Sequence, residues 1–159
     1  MFVRGLLTAS LIIAASAPAL AQEKQPPYWA SIASGKAMTR NGPARTYPGK
    51  WLYERRDLPV RILQKYENWR LIQDPDGDKG WMLVTLLSDK RTVIVQKGEP
   101  RPIYSDPSAT SRVRYRVEAG VVGRIDHCRD GWCHIAFGRR EGYVQTADVW
   151  GVDANEAVD

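Results

Sequence analysis

The sequence repeats itself once, with residues 65–70 (KYENWR) lying over residues 128–133 (CRDGWC) at an offset of 63 positions. The same offset superposes Ile62 on Ile125, and a shift of one residue brings residues 80–81 (GW) onto residues 142–143 (GY). A period of this length exceeds that of ordinary solenoid repeats. Each copy is therefore predicted to form a small domain of its own.

Within both copies, short runs rich in Val, Ile, Tyr and Trp alternate with clusters of Gly, Pro, Asn and Asp. No segment sustains a helical period over the length of an ordinary helix. The pattern predicts an all-β fold made of two small β-barrels in tandem. The predicted strands include residues 59–63, 69–73 and 81–83 in the first copy, and 92–95, 112–117, 121–125, 132–137 and 143–145 in the second.

The repeat also defines the organisation of the chain. Arg4, the apolar run over residues 6–17 and the small-residue pattern of residues 19–21 (ALA) predict a signal peptide over residues 1–21. The predicted segments that follow are a polar lead-in (22–28), copy one (29–90), copy two (91–152) and an acidic tail (153–159). This organisation predicts a periplasmic or secreted protein with no transmembrane span after signal removal.

Four short motifs in copy one occur together: residues 38–43 (MTRNGP) followed by 47–48 (YP), then 68–69 (NW), then 80–81 (GW). This combination resembles the bacterial SH3-like domain family. Copy two keeps residues 131–132 (GW) and 142–143 (GY) but has residues 103–107 (IYSDP) in place of the Arg-x-Gly-Pro element. The resemblance covers nearly all of residues 29–152, and it implies two SH3-like barrels that serve as noncatalytic modules recognising cell-wall material.

Residues 127–134 (HCRDGWCH) offer two thiols and two imidazoles, which is the donor set of many zinc sites. Residues 130–131 (DG), however, form a two-residue hairpin turn that pairs Cys128 with Cys133 and His127 with His134. Because successive side chains of a strand point to opposite faces, cysteines and histidines cannot reach one tetrahedral ion. We predict a Cys128–Cys133 disulfide, with a redox-active pair as the alternative, and neither a metal site nor a cofactor.

Tryptophan and tyrosine greatly outnumber phenylalanine, with six Trp and seven Tyr against two Phe. The recurring Trp69, Trp81, Trp132 and Tyr143 are predicted to fill the two small cores. The other aromatics lie in the longer loop-and-strand region that forms the ligand face of eukaryotic SH3 barrels, and flat rings suit sugars or extended peptides. The predicted ligand-binding aromatic residues are Tyr47, Trp51, Tyr53, Tyr104 and Tyr115.

The formal charge of +5 includes a regular arginine pattern in copy two. Arg112, Arg114 and Arg116 alternate with apolar residues, so a strand here presents three guanidinium groups on one face. A solvated outer face is the alternative, but such groups bind carboxylates and phosphates. Together with Arg40 of the Arg-x-Gly-Pro element they complete the predicted binding residues, and export argues against nucleic acid as the partner.

No nucleophile, metalloprotease or phosphate-loop motif occurs in the sequence, so an enzyme is not predicted. The leading hypothesis is an exported binding protein that recognises a cell-wall or envelope component, namely peptidoglycan or associated anionic groups. The alternative is a periplasmic adaptor that binds a protein partner through a Pro-rich or extended segment.

Overall fold

Strands account for nearly all the regular structure of residues 23–159, which are the residues that the computed structural model describes. The predicted signal peptide lies outside the described residues. The first copy contains β1 (Tyr28–Ile32), β2 (Ala37–Arg40), β3 (Gly49–Tyr53), β4 (Pro59–Tyr66), β5 (Trp69–Gln73), β6 (Lys79–Leu83), a 3-10 turn (Val84–Leu86) and β7 (Leu87–Ser88). The second contains β8 (Thr92–Val95), β9 (Arg101–Tyr104), β10 (Val113–Val117), β11 (Val122–Arg129), β12 (Trp132–Phe137), β13 (Arg140–Gln145), a 3-10 turn (Thr146–Asp148) and β14 (Val149–Trp150).

Each copy folds into one antiparallel seven-stranded sheet with the same strand order. The order is β3-β2-β6-β5-β4-β1-β7 in copy one and β10-β9-β13-β12-β11-β8-β14 in copy two, so adding seven to each strand number converts one sheet into the other. This arrangement confirms the predicted all-β class with two small SH3-like barrels in tandem.

Aliphatic side chains build both cores. Ile72 of β5 and Ile135 of β12 occupy equivalent positions and are fully buried, as are Met82 of β6 and Val144 of β13. Period-2 alternation along the strands carries these side chains inward together. The two cores therefore have the same arrangement and are filled mainly by the β-branched residues that suit a pleated sheet.

The predicted core role is wrong for three of the four recurring aromatic residues. Trp81, Trp132 and Tyr143 are only half-buried. Each of the three neighbours an inward-facing residue, such as Met82 or Val144, and therefore points to the outer face of its sheet. Trp69 is buried, as predicted, although it lies outside the main aliphatic cluster of copy one.

The equivalent hairpins β4–β5 and β11–β12 are closed by different chemistry. In copy two the predicted register and disulfide are confirmed: Cys128 pairs with Cys133, their Cα atoms are 4.1 Å apart, and their sulfurs are bonded. In copy one Lys65 and Arg70 stand at these positions, and Glu23 binds both, at 3.0 Å and 3.3 Å. The Lys65 ammonium hydrogen-bonded to Glu23 lowers the pKa of that carboxyl. An ion-pair clamp in copy one therefore corresponds to the covalent link in copy two.

The acidic tail packs against the protein. Val158 exchanges two backbone hydrogen bonds with Cys128, of 2.8 Å and 3.1 Å. The carboxylate of Glu156 accepts two hydrogen bonds from Arg91, of 2.7 Å and 3.0 Å, and Asp153 pairs with Arg61 of copy one. Basic residues of the two copies therefore hold the acidic groups of this segment in place.

The two barrels contact each other directly. The indole of Trp29 in β1 meets that of Trp150 in β14 edge-on, with ring centroids 4.7 Å apart, and the Arg61 guanidinium lies 4.6 Å from the Trp29 ring centroid. Ile94 and Val122 of copy two pack against the core of copy one. No helix among residues 23–159 has the length and apolar character that crossing a membrane requires.

Candidate functional site

Exposed apolar side chains are concentrated on one hairpin of copy one, on both of its faces. Four of the six large hydrophobic residues that are exposed among residues 23–159 fall between positions 38 and 52. We call them the edge surface: Met38, Tyr47, Trp51 and Leu52. Met38 pairs with Leu52 across β2 and β3, whereas the adjacent Trp51, which is 49% exposed, pairs with Thr39 and points to the other face of the hairpin. Exposed rings and aliphatic chains of this kind are candidates for contact with a ligand.

Arg40 fixes the loop that carries Tyr47, one residue of the edge surface. Its Nη1 donates a 2.8 Å hydrogen bond to the carbonyl oxygen of Tyr47, at the end of the loop between β2 and β3. The Tyr47 ring lies so close to Gly42 that a Cβ at that position would fall 2.6 Å from the ring carbons. The Arg-x-Gly-Pro element therefore fixes the loop and the tyrosine, because the arginine anchors the backbone and the glycine makes room for the ring.

Tyr53 lies elsewhere, at the wall of a pocket of about 750 Å³ between the copies. Its hydroxyl donates a 2.9 Å hydrogen bond to Asp74, whose other carboxylate oxygen accepts from the backbone N–H groups of Asp76 and Asp78. Burial and then the hydrogen bond to Asp74 raise the pKa of Tyr53. The phenol therefore remains a donor at neutral pH and ties the edge strand β3 to the turn after β5.

The three arginines of copy two are exposed on and just before β10, the strand equivalent to β3. A β-bulge at Arg114 interrupts the regular alternation of this strand. Arg114 donates to the carbonyl of Glu141 at 3.4 Å, and Arg116 donates to that of Pro100 at 3.1 Å. Lys50 and Leu52 of copy one correspond to Arg114 and Arg116. The position of Leu52 and Arg116 is therefore apolar in copy one and cationic in copy two.

Tyr104 and Tyr115, which the sequence placed in one binding region, have different surroundings. Tyr115 is half-buried against the copy-two core, its hydroxyl is buried, and that hydroxyl bonds to no residue within 23–159. Burial raises the pKa of Tyr115, although Arg140 and Arg114 act in the opposite direction. Tyr104 instead meets the outward-facing Trp132 edge-on, with centroids 5.5 Å apart.

Tyr104 therefore belongs to a second surface, which sequence reasoning missed and which we call the aromatic face. Beside Trp132, Tyr143 and the two histidines form a continuous ring cluster, with centroids 4.8 Å apart for His134 and Tyr143 and 5.3 Å for His127 and His134. A pocket of about 470 Å³ opens at its edge. The signal for it was present in the sequence, since an outward-facing Tyr143 follows from an inward-facing Val144.

The disulfide lies beneath this face and supports a stability prediction. Reduction is expected to lower the free energy of unfolding by about 2 kcal/mol, because the bond closes a loop of only six residues. Urea unfolding with and without dithiothreitol measures the difference. A variant with both Cys128 and Cys133 changed to alanine should not respond to the reductant. Equal stability of the wild type in both conditions would contradict the prediction.

Comparison with known proteins places both copies in one family pattern. The family model described as bacterial SH3 domain matches the chain twice, over residues 33–89 and 97–151. No curated protein sequence matches the chain.

Among solved structures, the chain is similar to NlpC2 and NlpC1 from Trichomonas vaginalis, each at 16% identity, with TM-scores of 0.35 and 0.34. These alignments cover 80% and 81% of this chain and 49% and 47% of the other chains. An NlpC/P60 family protein from Bacillus cereus ATCC 10987 aligns at 13% identity and a TM-score of 0.33, covering 77% of this chain and 55% of that one. The chain thus spans about half the length of the solved structures it matches.

Proposed function

Because the chain belongs to the bacterial SH3 domain family, with a domain in each copy, we propose that it is an exported, noncatalytic binding protein that recognises cell-envelope material. The material is peptidoglycan or anionic groups associated with it. The proposal rests mainly on one observation, the edge surface of copy one, where Tyr47 and Trp51 stand exposed on a hairpin fixed by Arg40. The predicted signal peptide supports the part of the proposal that concerns export.

The chemistry of this surface suits a polymer of sugars and short peptides. Aromatic rings give a sugar face a large apolar contact area at little conformational cost, since a Tyr or Trp side chain has two rotatable bonds. The exposed guanidinium groups of copy two supply donors for the carboxylates of peptide stems. The divergence between β3 and β10 supports a division of tasks, with apolar contact in copy one and anion contact in copy two.

Sedimentation with purified, insoluble peptidoglycan tests the proposal. We expect the wild-type chain to cosediment at low and moderate salt, and Trp51→Ala or Tyr47→Ala to weaken binding about tenfold or more, as anchors in other interfaces do. Tyr66→Ala is the matched control, since Tyr66 is 53% exposed but lies outside the edge surface. Failure of the wild type to cosediment, or unchanged binding by correctly folded Trp51 and Tyr47 variants, would overturn the proposal.

The protein-adaptor alternative is favoured by one specific observation. Among the strands of residues 23–159, β3 stands at the end of its sheet and pairs only with β2, so its outer edge can accept an extended segment of another protein. Crosslinking in cells distinguishes the two functions. One stoichiometric protein partner, lost in Trp51→Ala and accompanied by no wall binding, would favour the adaptor.

A further inference from the structure

Copy two carries a pair of histidines that the proposed function does not use. His127 and His134 stand directly opposite each other on β11 and β12, with rings 14° from parallel. Their side chains lie on the outer face, while Cys128 and Cys133 point into the core. The sulfur atoms therefore do not share a ligand with the imidazoles.

A β-bulge adds a carboxylate to this pair. Ile125 pairs with Ile135 and His127 with His134, which leaves Asp126 as the extra residue of the bulge. Its Oδ2 lies 3.0 Å from Nδ1 of His127 and 3.4 Å from Nδ1 of His134. Without the bulge, alternation would send the aspartate to the face opposite its neighbouring histidine.

The same bulge in copy one carries no such group. There Ile62 pairs with Ile72 and Gln64 with Leu71, which leaves Leu63 as the extra residue. The backbone device is therefore common to both copies, whereas the three donor side chains occur in copy two alone among residues 23–159.

The separations fit a shared ion. Two ligand atoms at about 2.0–2.1 Å from a tetrahedral zinc ion are about 3.3 Å apart, close to both oxygen–nitrogen distances given above. All three donor atoms lie within 4.8 Å of one another, and His127 is exposed enough to turn its ring.

One of the donors also lacks a hydrogen bond. Nδ1 of His134 is buried, and although Oδ2 of Asp126 lies 3.4 Å away, the nitrogen makes no hydrogen bond with any residue in the described part of the chain. A buried ring nitrogen without a hydrogen bond costs free energy, and a metal ion is one ligand that would use its lone pair.

We propose that Asp126, His127 and His134 form a binding site for a divalent transition-metal ion of the zinc class. Two imidazoles and one carboxylate are donors that such ions accept. Three protein ligands leave at least one coordination position open. The neighbouring pocket, lined by Tyr143 and Trp132, gives a solvent molecule or an external ligand access to that position.

Zinc titration of the chain tests the site. The protein is used without its predicted signal peptide, without an affinity tag and without reductant, so that its two histidines are the only imidazoles and no thiolate is free. Calorimetry is expected to give one Zn²⁺ per chain, and the ring signals of both histidines in the NMR spectrum should shift together.

The variants separate ligands from neighbours. His127→Gln, His134→Gln and the isosteric Asp126→Asn should each weaken zinc binding about tenfold or more. Asp130→Asn is the matched control in the same hairpin and should leave the affinity unchanged; circular dichroism checks that each variant folds. No binding at millimolar Zn²⁺, or undiminished binding after both histidines are replaced, would overturn the proposal, whatever the outcome of the peptidoglycan assay.

Discussion

Truncating Ile72 or Ile135 to alanine is expected to lower the free energy of unfolding by about 2–5 kcal/mol in each case. Both side chains are fully buried at equivalent positions of the two cores. Removing them forfeits the transfer free energy of three carbon atoms and leaves a cavity that a small barrel has few neighbours to fill. Urea unfolding monitored by tryptophan fluorescence gives the difference as a shift of the midpoint.

A substitution of similar size on the surface calibrates this result. Val113 is 43% exposed on β10, so Val113→Ala should change the free energy of unfolding by no more than about 0.5 kcal/mol. If Ile72→Ala and Ile135→Ala were no more damaging than Val113→Ala, the aliphatic clusters would not be the stabilising cores described above.

Replacing Gly151 by alanine should cost about 2–6 kcal/mol of unfolding free energy. Its φ of +124° lies where residues with a Cβ are strained, at a cost of about 1–3 kcal/mol. A Cβ there would also overlap the carbonyl oxygen of Thr92 and lie 3.1 Å from the Cβ of Pro59 in copy one. Backbone atoms cannot move aside as a flexible side chain does, so a further cost of about 1–3 kcal/mol is expected.

Gly35 provides the matched control for that measurement. A Cβ at Gly35 meets nothing within 4 Å, and its backbone has no positive φ. Gly35→Ala should therefore remain within about 0.5 kcal/mol of the wild type. Comparable urea midpoints for the two glycine variants would show that neither strain nor close approach constrains position 151.

The features that could be predicted from the sequence depend on residues that are close together in the chain. The hairpin around Cys128 and Cys133 was predictable because a two-residue turn and the alternation of strand side chains act over a few residues. The approximate positions of the strands were predictable from composition and from the repeat, since equivalent residues of the two copies form equivalent strands. The outward position of Trp132 and Tyr143 was missed because large aromatic residues were assigned to the core by size rather than by register.

Several features depended on residues that are far apart in the chain. Glu23 reaches Lys65 and Arg70, and Val158 pairs with Cys128, only because the sheet order brings those segments together. The nine predicted binding residues likewise do not lie on one surface, because the fold places them in different surroundings. Arg40, Tyr47 and Trp51 share one hairpin, whereas Tyr53 faces the pocket between the copies.

Short-range geometry repeated at a fixed offset was enough to predict two all-β repeats, their hairpin register and the disulfide. The assembled sheets were needed to show which aromatic rings face water, which basic residues bind Glu23 and the acidic tail, and that a bulge turns Asp126 towards two histidines. Alternation specifies a face only while the pairing is regular. A bulge or a long-range contact changes what that face presents, and both depend on the assembled sheet.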